Sequence, residues 1–247
     1  RPGTANALLG VAIIVVIMMP TLTLPALLWV KEIPVRKPPT KVSWKRGLKI
    51  VVANGPYVRL VICLFFLVTA ISMTASLSFF FVQSVMGQGF ETYTYFILAY
   101  YLSSAFCIPI WFIISKHLGK HRTVVLGIAW LSLWSAFIPL MGPDQFGLFF
   151  VVMLLKGSAI GALVFLPASM AADVVDLDTL RTGEQRTGLY FSLWGMVNKG
   201  GAAIGVFLAT NLAAYYGFDP SAAENTESAK FALACLYSGF PALLACV

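Results

Sequence analysis

The sequence predicts an all-α, polytopic membrane bundle, and three observations carry that reading. Hydrophobic residues make up 59% of the 247-residue chain and charged residues only 11%, which leaves too little polar surface to cover a soluble fold. Mean hydropathy is +0.85. Apolar runs recur along the chain at 5–30, 60–82, 92–115, 123–142, 145–172, 188–218 and 231–247. None alternates with period two, so a β-barrel gives way to helices, the other structure that satisfies its backbone in lipid.

The first six runs reach the roughly 20 residues needed to cross the hydrocarbon core. The seventh stops at Val247 after 17 residues, and with Arg1 at the other end the chain reads as part of a longer protein. The run 5–30 has no basic leader or cleavage site and is too long for a signal-peptide core, so it is expected to be a span. The stretch 31–59 opens with prolines that end a helix and closes with an expected amphipathic helix over 43–53. Ser43 is its expected cap, and Val42, Trp44, Leu48, Ile50, Val51 and Val52 offer apolar surface to the membrane interface. Such a loop separates two bundles, with 1–30 in one and 60–247 in the other.

Basic residues crowd alternate loops. Eight lie in 31–59, three in 116–122 and Arg181 and Arg186 in 173–187, whereas the opposite loops hold Lys230 alone. The positive-inside rule places the first set in the cytoplasm. The same bias accounts for the net charge of +7 through contact with anionic lipid, without a nucleic-acid partner. Cys63, Cys107, Cys235 and Cys246 all fall inside spans and are expected to pack as small apolar side chains.

Two charges lie well inside spans, Lys156 and Lys199. A lysine at mid-bilayer costs roughly 2.5–3.5 kcal/mol on insertion scales, so it faces a cavity or a partner. Lys199 follows Gly188 by 11 residues, about 16 Å along a helix and beyond easy snorkelling. Ser192, Gly195, Met196, Ala202 and Ala203 share its face, and Trp194 and Asn198 flank it. A lysine, an amide and an aromatic ring beside small residues suit a polar ligand with an apolar face. Lys156 sits at similar depth and either lines a polar cavity or pairs within the bundle. Gly157 with Gly161, and Gly201 with Gly205, have the spacing that lets helices approach closely.

Asp173, Asp176 and Asp178 end the fifth run, with Arg181, Glu184 and Arg186 in the next turn. They form either a solvated cap or charge pairs that make and break between conformations. His117 and His121 are four apart in a basic loop without a third ligand nearby, so no metal site is expected. No nucleophile–base pair or phosphate-binding glycine loop is present, which argues against an enzyme. A seven-span receptor or sensor remains an alternative on topology alone.

The stretch ADVVDLDTLRTGEQRTGLYFSLWGMVNKGG at 172–201 resembles that of the glycoside-pentoside-hexuronide:cation symporters, the melibiose-permease-like branch of the major facilitator superfamily. NGPYVRL at 54–60 is similar to that family's entry into its seventh helix, and SKHLGKHR at 115–122 resembles the superfamily's basic loop, with Lys116 where the general motif has Asp. The resemblance implies helices six to twelve of a twelve-helix transporter. On it, 1–30 is the last helix of the N-terminal bundle, 31–59 the central cytoplasmic loop and 60–247 the C-terminal six-helix bundle, truncated at its end. It also implies Na+- or H+-coupled symport of a sugar, with no cofactor, in the bacterial inner (plasma) membrane, partnered by the N-terminal half. Lys199 matches that family's lysine in the sugar and cation pocket, and Trp194, Asn198 and Lys156 are expected with it from their own positions. Asp173, Asp176 and Arg186 match its cytoplasmic motif, which implies a gate, and Arg181 is expected to join them.

Overall fold

The computed structural model describes residues 2–30, 44–222 and 224–246. The chain divides into two units, 1–40 and 41–247. The first contains α1, Pro2–Trp29, which carries Pro20 and Pro25 within the helix and no acid in its first turn. The loop prolines, Val42 and the expected cap Ser43 lie outside the described residues.

The second unit is a bundle, and every regular element in it is helical. It begins with the amphipathic α2, Trp44–Ala53, followed by α3, Gly55–Ser84. Asn54 separates them and caps α3, its side chain accepting from the Tyr57 N–H. The apolar residues of α2 do not all face outward as expected. Val51 is buried with Tyr57, Val175 and Tyr190, and Gly47 sits against Leu189, whereas Leu48 and Val52 are exposed. One edge of α2 is thereby docked on the bundle.

α4, Phe90–Leu118, runs to Gly119, and α5, Lys120–Phe137, starts immediately after it. Gly119 has φ +83°, a left-handed value that a side chain disfavours. It breaks the helix between His117 and His121. The two histidines are therefore not one helical turn apart, and the spacing that might have suited a metal on a helix is lost. α6, Phe146–Thr182, has 37 residues, about 55 Å at the helical rise and longer than a hydrocarbon core of about 30 Å. Its acid-bearing end is then expected to project past the apolar layer.

α7 spans Thr187–Tyr215. The last transmembrane segment is composite: α8, Glu227–Ala234, then a π-helical turn over Cys235–Gly239, then α9, Phe240–Ala245. Among the described residues six helical segments are long and apolar enough to cross a membrane, against seven apolar runs in the sequence. α7 is the one that falls short in hydropathy, although at 29 residues it has the length. Asn198, Lys199 and a cluster of glycines dilute it.

With no hydrophobic drive between helices in lipid, small residues and van der Waals contact hold such bundles. A side chain at Gly205 would lie 2.5 Å from the Thr69 carbonyl oxygen and 2.8 Å from Ser72 Cβ, and one at Gly201 would lie 3.1 Å from the Phe65 carbonyl oxygen. α7 thus touches the backbone of α3. Gly157 and Gly161 bring α6 equally close to α4, with Tyr100 and Ser104 carbonyls at 2.6 and 3.0 Å from the added carbon. Away from these seams an aromatic core fills the bundle, with Phe81 stacked on Tyr237 at 4.6 Å and Phe149 tilted against Phe81 and Phe96. Of the four cysteines, Cys107 packs half-buried against the cluster of Trp111, Ala159 and Leu166, as expected of a small apolar side chain. Cys235 is half-buried, and Cys63 and Cys246 are exposed.

Replacing Gly205 by Ala should destabilise the protein by about 1–3 kcal/mol, because the methyl must push two helix backbones apart. Gly200, which has open space around it, should accept Ala without loss and can gain up to about 1 kcal/mol in helix propensity. Thermal melting of the purified full-length protein in detergent compares the two. Equal melting points would show that the seam tolerates a side chain.

Candidate functional site

The seam on α3 fixes which way α7 faces. Gly201, Gly205, Ala209 and Ala213 are buried, whereas Ser192, Met196, Lys199, Ala203, Val206 and Thr210 are exposed. At 100° per residue Gly201 and Gly205 lie roughly opposite Lys199, so packing one side turns the lysine outward. Its amine has no hydrogen bond or ion pair among the described residues. Asn198 donates its side-chain amide to the Trp194 carbonyl at 3.0 Å, and both residues are half-buried. Neither side chain makes a hydrogen bond to the lysine.

Lys156 is elsewhere. It is 2% exposed, enclosed where α3, α4, α5, α6 and the last segment meet around a cavity of about 210 Å³. No α7 residue lines that cavity, so the two lysines do not share a pocket. The Lys156 amine lies 5.1 Å from the Tyr237 ring centre and 3.5 Å from Ser238 Oγ. Three side chains anchor the surrounding turn of α6 from neighbouring helices. Ser103 donates to the Leu154 carbonyl at 2.7 Å, Trp130 to that of Leu155 at 2.8 Å and Trp111 to that of Ser158 at 2.8 Å.

At the other end of α6, Gly183 adopts φ +70° and stops the helix, its N–H bonded to the Thr179 carbonyl. The short turn that follows brings Arg186 back over the helix end. Its Nη2 and Nε bind one Glu184 oxygen at 2.7 and 3.0 Å, and its Nη1 stands 3.5 Å from Asp178 Oδ2. That carboxylate oxygen is buried and makes no hydrogen bond, which leaves the guanidinium as its countercharge. Beneath lies Tyr190, whose hydroxyl accepts from Asn54 Nδ2 at 3.1 Å and whose ring meets Tyr57 edge-on at 4.7 Å. Tyr57 donates its hydroxyl to the Tyr190 carbonyl.

Of the four expected gate residues, only Arg186 belongs to this clamp. Asp173 pairs instead with Lys120 at 2.6 Å on an exposed surface. Asp176 and Arg181 are exposed and form no ion pair among the described residues. The partners of Arg186 are Asp178 and Glu184, named with it in the same charged stretch. Tyr190, Tyr57 and Asn54 were not expected there. Their one signal was that NGPYVRL and the charged stretch stood out separately, and the fold joins them.

The MFS/sugar transport protein family matches residues 2–247. Over 206 residues the chain is 25% identical to the sodium-dependent lysophosphatidylcholine symporter 1-A of Danio rerio, a match covering 83% of this chain and 38% of that protein. It is likewise 25% identical over 205 residues to the human sodium-dependent lysophosphatidylcholine symporter 1, covering 82% and 37%. An uncharacterised symporter of Synechocystis is 31% identical over 140 residues, covering 56% of this chain and 26% of that protein. The chain thus spans less than two fifths of the length of these relatives. Membrane-length helices, glycine seams and this family match together make the chain part of an integral, multi-pass membrane protein that belongs to the MFS/sugar transport protein family.

Proposed function

We propose that this chain is the C-terminal portion of a cation-coupled symporter and that α7 presents Lys199 to the substrate and cation pocket. The observation that carries the reading is the lysine's placement, opposite a glycine seam and without a countercharge among the described residues. A charge at that depth needs a partner. An N-terminal bundle meeting this face would supply one, together with the cation site, and rocking of the two bundles around it gives alternating access. The Arg186 clamp ties α6, α7 and the start of α3 at one end of the bundle. Its pairs would form when that end closes and part when it opens.

Sodium is the coupling ion this reading favours, supported by the names of the lysophosphatidylcholine relatives; a proton is the alternative. The family's description supports a sugar or glycoside as substrate. A second reading, a lysophospholipid, draws support from those same relatives and from Met196 and Val206 beside Lys199. Counterflow with full-length protein in liposomes separates them when sugars and lysophosphatidylcholine are offered with sodium and pH varied. Exchange of neither class would overturn the symporter assignment.

Lys199→Gln should lower coupled uptake by about thirtyfold or more, the equivalent of about 2 kcal/mol for removing one member of a desolvated charge pair. Membrane insertion should be unchanged. Wild-type uptake by this variant would remove Lys199 from the pocket.

In a double-mutant cycle, Asp178→Asn and Arg186→Gln should show coupling of about 1–2 kcal/mol in the transport rate, since the pair is largely shielded from solvent. Asp176→Asn with Arg181→Gln should show no measurable coupling. The reverse ranking would return the gate to the exposed residues.

A further inference from the structure

The cavity around Lys156 lies outside the pocket proposed above and presents a separate electrostatic problem. A fully buried lysine keeps its proton only when another charge or a full set of hydrogen bonds compensates the lost hydration of the ammonium. Here the compensation is one long contact to Ser238 Oγ and the face of Tyr237. Ser238 gives its own proton to the Ser135 carbonyl at 2.8 Å, so its oxygen is free to accept but holds only one of the three N–H groups. No carboxylate among the described residues pairs with Lys156. Among the described residues every acid lies in a terminal part of a helix or between helices, away from the middle of α6 where Lys156 sits.

The surroundings are built rather than collapsed. The π-helical turn at Cys235–Gly239 sets Tyr237 and Ser238 side by side against the lysine, and such turns recur at functional sites. Thr74 fixes the turn by donating to the Tyr237 carbonyl at 3.0 Å. The indoles of Trp111 and Trp130 fix the α6 backbone next to the lysine by donating to the Ser158 and Leu155 carbonyls. About 210 Å³ of space remains beside the amine, with Tyr100 and Ser135 on its lining and Ile97, Leu131 and Ile160 completing an apolar wall. A dry apolar cavity of about 150 Å³ accepts a benzene molecule, so this one has room for a small ion or a compact organic acid.

We propose that this cavity is a binding site for a small monovalent anion, whose charge rests on the Lys156 amine inside the C-terminal bundle. The ligand is a halide or a compact carboxylate with an apolar body. It is distinct from whatever meets Lys199.

The test uses purified full-length transporter in detergent, in a buffer whose other anion is too large to enter. Sodium bromide and sodium benzoate are titrated separately by calorimetry, at constant sodium and ionic strength. The expected result is saturable binding at one site per chain. Binding should persist in Lys156→Arg and in Lys199→Gln, and should weaken by about tenfold to a hundredfold in Lys156→Met, the range for losing a charge-assisted bond. Benzoate binding assigns the site to carboxylates, and bromide binding alone assigns it to halides. Absence of saturable binding by either anion in the wild type, or equal binding by Lys156→Met, would overturn the site. Should Lys156→Met fail to fold, anomalous diffraction from wild-type crystals soaked separately with bromide and with 4-bromobenzoate decides the matter, and no peak beside Lys156 from either would be fatal.

Discussion

The contact of α7 with the backbone of α3 is the constraint on which the rest of this bundle depends. Helices in lipid gain little from burying apolar side chains against one another, since lipid tails are as apolar as leucine. Close approach must supply the attraction instead, and only a missing side chain permits it. Gly201 and Gly205 do this on α7, and Gly157 and Gly161 do it on α6. Each pair also fixes rotation about its helix axis, because only one line of the helix is smooth. Orientation of the polar residues follows from that rotation.

That coupling explains how two lysines of similar depth come to such different surroundings. α7 is packed on one side, so the residue opposite its glycines points away from the bundle. On α6 the line that carries Lys156 faces α3, α5 and the last segment, whereas Val151 and Val164 lie on its open side, so this lysine points inward. The long hydrogen bond and the aromatic face around Lys156 are what a crowded apolar bundle can offer. The charged clamp at the far end of α6 obeys the same geometry. Arg186 reaches Asp178 because Gly183 turns the chain back sharply where the helix stops.

Much of this was legible in the sequence for a simple reason. Apolar length, glycine spacing and a lone charge within a span are local signals, so the helices, the glycine pairs and the prominence of Lys199 could be read directly. Partner choice is not local. Nothing along the chain distinguishes Asp178 from Asp176, yet a rotation of 200° around α6 puts one against Arg186 and the other in the open. The joining of Asn54 and Tyr57 to Tyr190 spans more than 130 residues and needed the bundle to exist first. The burial of Val51 was missed for the same reason. An amphipathic helix shows its apolar edge in sequence but not whether lipid or protein covers it.

The distribution of charge carries the argument one step beyond this chain. Among the described residues the acids lie in the terminal parts of helices or between them, whereas two lysines stand within the span regions. Lipid does not screen such an imbalance, and uncompensated charge in it is expensive. Compensation must therefore arrive from elsewhere, and the fold makes the two arrivals different in kind. Lys199 lies on an open face, where a neighbouring bundle or a passing substrate can bring the countercharge and take it away again. Lys156 is buried beside its cavity, so on the proposal above a countercharge for it must be small enough to enter there, where five helical segments would meet around it. If the chain belongs to an alternating-access symporter as proposed, the first lysine would change partners and the second would keep one bundle whole.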